Sequence, residues 1–212
     1  MNPLLKLSRV IDAITERIGH TIYWLVLAAV LISAANATVR KIFNYSSNSF
    51  LEIQWYLFSL IFLFLAGYTL KSNEHVRIDI VTGRLSARAR TWIDIFGTLF
   101  FLLPMAILIM YLSWPVFVDA YQRHEVSTNA GGLIVWPARL MVPVGFFLLI
   151  VQAISELIKR IAFLRGIIPD PSEKIVEKTP EELLAEEILR SRGDLAIAQE
   201  FEGIGVGKKE QP

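Results

Sequence analysis

The chain has 212 residues, of which 54% are hydrophobic and 19% charged, with a formal net charge of +1 and a mean hydropathy of +0.48. A soluble domain carries about a quarter charged residues, and here the apolar residues are gathered in long blocks, which excludes an ordinary soluble fold. The absence of cysteine excludes disulfides, thiolate catalysis and cysteine-ligated metals.

Residues 4–18 place Leu4, Leu7, Ile11, Ile14 and Ile18 on one helical stripe, with Lys6, Arg9, Asp12, Glu16 and Arg17 elsewhere. This predicts an amphipathic helix over residues 1–19, lying on the cytoplasmic interface. Residues 21–39 then run without a charge, which predicts a first span over about 20–40, since about 20 apolar residues cross the hydrocarbon core. Ala35-Asn36-Ala37 has the form of a signal-peptide cleavage site. The leader before it, however, is long and carries acids as well as bases, unlike a signal peptide.

The first loop, RKIFNYSSNSFLE, is short and polar. Glu52 stands at the outer start of a second charge-free run, 53–70, which predicts a span over 52–71. A carboxylate there is interfacial near water and needs a partner if drawn deeper. The stretch NEHVRIDIV follows, with Glu74, His75, Arg77 and Asp79 where the apolar run ends. In a helix, Glu74 and Arg77 are i,i+3 neighbours and His75 and Asp79 are i,i+4 neighbours. In a solvated loop they form two weak ion pairs, each worth under about 1 kcal/mol.

Gly83 breaks the chain, and Ser86 is placed to cap the next helix. Residues 95–118 carry no charge and predict a third span over 92–118, with Pro104 inside it. The loop DAYQRHEVSTNAGGLIVWP follows, with a turn at Asn129-Ala130-Gly131-Gly132. Residues 140–155 are again charge-free. They extend upstream to a span over 134–158 if Arg139 snorkels to the interface. In the segment 166–212, Thr179-Pro180-Glu181-Glu182 starts a short helix that ends by Gly193.

The expectation is an all-α integral membrane protein: four transmembrane helices in a membrane domain over 20–165, preceded by the interfacial helix and followed by a charged cytoplasmic tail. The tryptophans Trp24, Trp55, Trp92, Trp114 and Trp136 fall near the ends of the spans, as an aromatic belt requires. Eleven Lys and Arg flank the spans in the N-terminal segment, the second loop and the segment after the last span; four flank them in the other two loops. By the positive-inside rule both termini are cytoplasmic. Residues 1–169 carry a net charge of +6 and residues 170–212 a net charge of −5.

No dinucleotide fingerprint, phosphate-binding loop or zincin helix is present, and Gly203, Gly205 and Gly207 lie in the acidic tail without a preceding strand. The pattern predicts no enzyme activity, cofactor or metal, and no nucleic-acid partner. His20 and His75 both fall near the cytoplasmic side, which leaves a haem- or quinone-associated anchor subunit of a redox complex as the alternative. Transport by this chain alone is disfavoured, because the span centres hold little polar beyond Ser33, Asn36, Ser59 and Gln152. A partner subunit fits better.

The segment HVRID after a long apolar span resembles the signature of the small permease (DctQ-like) subunit of tripartite ATP-independent periplasmic (TRAP) transporters. Residues 40–44 (RKIFN), 46–48 (SSN) and 51–58 (LEIQWYLF) are similar to that family's first loop and second span. Ser127-Thr128-Asn129, Gly131-Gly132-Leu133 and Trp136-Pro137 are similar to its outer loop, and Val142-Pro143-Val144-Gly145-Phe146 to the start of its last span. The resemblance covers residues 10–165 and implies a multi-pass protein of the bacterial inner membrane.

It further implies a static scaffold beside a large permease subunit of about a dozen spans, which carries substrate and sodium like an elevator. A periplasmic binding protein delivers an organic acid or related solute. The residues expected to meet the large subunit or membrane lipids are Glu52, Trp55, Glu74, His75, Arg77 and Asp79. Those expected to shape the outer loop near the binding protein are Ser127, Asn129, Gly131, Gly132, Trp136 and Pro137.

Overall fold

The computed structural model describes residues 3–44, 47–72 and 86–169, all within one compact unit, Met1–Ser172. Glu74, His75, Arg77, Asp79 and the tail helix expected from Thr179 lie outside the described residues.

Among the described residues four helices make up the fold: α1 (Pro3–Phe43), α2 (Asn48–Lys71), α3 (Ala87–Gln122) and α4 (Trp136–Leu164). Each is long and apolar enough to cross a membrane. The described residues contain no strand, only an isolated antiparallel bridge between Val126 and Ile134.

The leading segment and the first span form one unbroken helix. Its 41 residues rise to about 60 Å, roughly twice a hydrocarbon core. Gly19 does not interrupt it, because the missing side chain is used for packing: a Cβ there would stand 2.5 Å from Tyr68 Cδ2 of α2. Leu4, Leu7 and Ile14 of the leading apolar stripe face outward, Leu4 at 59% exposure, while Ile11 at 9% and Ser8 at 1% are turned into the bundle. Helix α1 ends on Arg40 and Lys41, which suit the negative end of its dipole. Asn44 follows in the left-handed conformation (φ 50°) that often stops a helix.

Helix α3 begins where expected, with Ser86 Oγ accepting a hydrogen bond from Ala89 N at 3.3 Å. It carries a π-helical turn over Thr98–Leu102. Pro104 explains the turn. It has no N–H to donate, and its ring would strike the carbonyl one turn back. Widening the preceding turn relieves both, and Leu103 N donates to Thr98 O instead. Helix α4 starts with Pro137 in its first turn. It ends with Gly166 at φ 71°, where Gly166 N donates to Phe163 O (2.8 Å) and Ile167 N to Ala162 O (3.0 Å).

Helix α4 is the hub, packing against α1, α2 and α3, whereas α3 packs mainly on α4. Lipid removes the hydrophobic drive between helices, so close approach must come from small residues. Gly145 provides it: a Cβ there would lie 2.6 Å from Leu63 Cβ of α2. Gly67 of α2 lies against Leu148 and Gln152 in the same contact. Large apolar side chains such as Phe62, Trp24 and Tyr111 cover the outside, as a lipid-facing surface requires.

Candidate functional site

The described polar residues gather at the two ends of the bundle. One cluster lies where α2 begins and the α3–α4 loop folds back. The other lies where α1 begins and α4 ends.

At the first end, Glu52 and Tyr56 follow the adjacent pair Asn48 and Ser49 at about one helical turn each, which puts all four toward one side of α2. Each takes hold of the loop between α3 and α4. Asn48 Nδ2 donates to Ala130 O (3.2 Å), Ser49 Oγ to Gly131 O, and Tyr56 Oη to Ile134 O (3.1 Å). Glu52 does most. Its carboxylate accepts from Ser127 Oγ, from Asn129 Nδ2 at 2.9 Å and from the Leu133 backbone N–H at 2.6 Å. Bonds to an ionised acceptor are about twice as strong as neutral ones. Glu52 is 5% exposed.

The loop is shaped for this grip. Ser127 N donates to Leu133 O and Gly132 N to Asn129 O, both at 2.9 Å. Gly131 has φ 72°, a conformation that costs a side-chain-bearing residue strain. At Gly132 a Cβ would lie 2.5 Å from Ser127 Cβ. Arg139 of α4 reaches back to Glu125 at 2.6 Å. Trp136 meets Tyr121 edge to face, with ring centroids 5.6 Å apart.

The structure thus brings Glu52 together with Ser127, Asn129, Gly131 and Gly132, residues that the sequence divided between two separate surfaces. Trp55 is not part of this grip. It points outward at 64% exposure.

At the second end, α1 and α4 present matching polar stripes. Ser8 Oγ and Ser155 Oγ share a hydrogen bond at 2.8 Å. Asp12 accepts from Gln152 Nε2 and Ser155 Oγ, both at 2.9 Å, and from Lys159 Nζ at 3.1 Å. Gln152 is fully buried. Its oxygen accepts from Thr15 Oγ1 at 2.7 Å, and its amide also reaches Glu156 at 3.1 Å. Lys159 lies 2.5 Å from Glu156. On the flank, Lys71 of α2 pairs with Glu16 at 2.9 Å, and Arg160 of α4 pairs with Asp94 of α3. Every helix is tied to a neighbour by charge at this end.

The sequence did not reveal this network. The signal was present as two stripes of the same pitch, Ser8-Asp12-Thr15 and Gln152-Ser155-Lys159, whose bonded residues are 137 to 147 positions apart. Among the described residues, no group of three or more acidic or histidine side chains is placed to hold a metal. His20 Nδ1 lies 2.9 Å from Glu16 O, and its ring meets Tyr23 edge to face. His75 lies outside the described residues.

The family model described as tripartite ATP-independent periplasmic transporters, DctQ component, matches residues 29–163. No curated protein and no solved structure matches the chain.

Proposed function

The chain belongs to the DctQ component family of tripartite ATP-independent periplasmic transporters, and from that premise we propose that it is the fixed scaffold of its transporter. It stands beside a large permease subunit that performs sodium-coupled uptake of an organic acid delivered by a binding protein. The observation that carries the scaffold reading is the tying of both ends. The α3–α4 loop is held by one buried carboxylate, and the opposite end by a network linking α1, α2, α3 and α4. A body fastened at both ends, with charge-free stretches between them, suits a static partner better than a moving carrier.

In this reading both termini are cytoplasmic in a bacterial inner membrane. The excess of Lys and Arg on that side supports it. The latched loop then faces the periplasm, where Ser127, Asn129, Gly131, Gly132, Trp136 and Pro137 form a preset surface toward the binding protein. Glu74, His75, Arg77 and Asp79 stand on the cytoplasmic side and set register with the large subunit or lipid headgroups. Trp55, exposed beside the latch, faces the large subunit or lipid.

A mild-detergent pull-down of the tagged chain tests the proposal. A stoichiometric large permease is the expected result. A haem-coloured eluate or a co-purifying dehydrogenase would overturn it in favour of a redox anchor. Changing Arg77 and Asp79 together to Ala should weaken assembly or uptake, and wild-type uptake would remove them from the interface.

A further inference from the structure

A groove adjoins the flank of the second cluster. It lies open between α3 and α4, beside the π-helical turn, with a volume of about 540 Å³. Ile93, Gly97, Phe101, Met105, Phe146 and Leu149 are among its walls, and Asp94 and Arg160 stand at one end. The apolar part follows the face of α3 that the π turn widens. At Gly97 an added Cβ would meet nothing within 4 Å, so the groove is open there too.

The charged end is incompletely satisfied. Arg160 is 5% exposed; one of its terminal nitrogens donates to Asp94, but its Nε is buried without a hydrogen-bond partner. Arg90 stands one turn before Asp94 on the same face of α3, and its Nε is also buried and unpartnered. These two are the unpartnered buried side-chain atoms among the described residues. A buried donor left unpaired costs free energy that a ligand's acceptor oxygen recovers. The local charge points the same way. Among the described residues, Arg160 pairs with Asp94 and Arg90 stands one turn from it, while Glu156, one turn before Arg160, is engaged with Lys159 and Gln152. Trp92, exposed on the same stretch of α3, marks the headgroup level.

We propose that this groove binds an anionic phospholipid of the bilayer, its phosphate against Arg90 and Arg160 and an acyl chain along the apolar wall. A phosphate supplies acceptor oxygens to guanidinium donors, and basic pockets between membrane helices suit such headgroups. A protein carboxylate would answer the arginines but would leave the apolar length of the groove unfilled. The site goes beyond the scaffold role and does not depend on it.

Native mass spectrometry of the full-length chain in detergent tests the site, with phosphatidylglycerol and phosphatidylcholine of identical acyl chains added in parallel. The expected result is about fivefold preferential retention of phosphatidylglycerol, as one basic residue near a headgroup gives. Arg90→Gln should bring the two lipids to parity, and Arg90→Lys should restore much of the preference. Gly97→Leu, which fills the groove without touching a charge, should lower retention of both lipids. A circular-dichroism melt without added lipid identifies any variant that has lost its fold, and the remaining variants then decide. Equal retention by the wild type would overturn the proposal. So would unchanged retention in the folded variants. The chain has no cysteine, so Gly97→Cys reports who occupies the groove in the assembled complex. A crosslink from position 97 to the large subunit, with no lipid retained, would also overturn it.

Discussion

The two ends of this bundle are held by different chemistry. At the α2 end, one carboxylate organises a loop. Glu52 accepts two side-chain bonds and one backbone bond, and the loop supplies glycines where the chain must turn tightly. At the α1 end, helices are joined side chain to side chain, with charges of both signs interleaved from Asp12 to Lys159. An irregular loop near lipid has backbone groups that need partners, so a fixed acceptor is the economical solution. Two regular helices have no spare backbone groups and need only their register set, which matched polar stripes do. The latch therefore centres on one residue, with Asn48, Ser49 and Tyr56 adding single bonds, and the network is spread over several.

That contrast can be broken most sharply at Glu52. Glu52→Ala leaves Ser127, Asn129 and the Leu133 N–H without their acceptor, and protease cleavage within residues 123–135 should rise at least about tenfold. Glu52→Gln should fall between, because its remaining oxygen still accepts. Next comes Gly132→Ala. Its Cβ would meet Ser127 Cβ at 2.5 Å and Asn129 O at 3.0 Å, so a loss of about 2 kcal/mol is expected by detergent-phase thermal denaturation.

At the other end, Asp12→Asn should cost less, about 1 kcal/mol in the same assay. Lys159 keeps Glu156, and an asparagine oxygen still accepts from Gln152. A loss there as large as at Gly132 would show that the network, too, hangs on one residue. The smallest effect belongs to Arg123→Ala. That residue pairs with Asp119 in an exposed i,i+4 contact at 2.7 Å, and its removal should change stability by under about 0.5 kcal/mol.

Much of this organisation was readable from particular residues. The charge-free runs marked all four helices, Ser86 marked the start of the third, and Asn129 to Gly132 marked the turn. The resemblance to the small permease family agrees with the match over residues 29–163. Other features were not readable. The leading stripe Leu4-Leu7-Ile11-Ile14-Ile18 predicted where a greasy face lies but not that Ser8 and Asp12 beside it would pack against α4. Glu52 read as a residue that needs a partner if buried, without saying which. Pro104 read as a kink, and the structure resolves it as a π turn that opens a groove.

The division follows from range. Crossing a hydrocarbon layer is a local demand, met by about 20 consecutive apolar residues, so the sequence by itself determined the four long apolar helices and the class of protein. Which polar group answers which is a nonlocal matter. Glu52 meets residues 75 to 81 positions away, and Asp12 meets residues 140 to 147 away. Only the packing of α4 among the other three helices decided those pairings. Partners so far apart in the chain are chosen by how the helices pack, and no local pattern in either segment specifies the other.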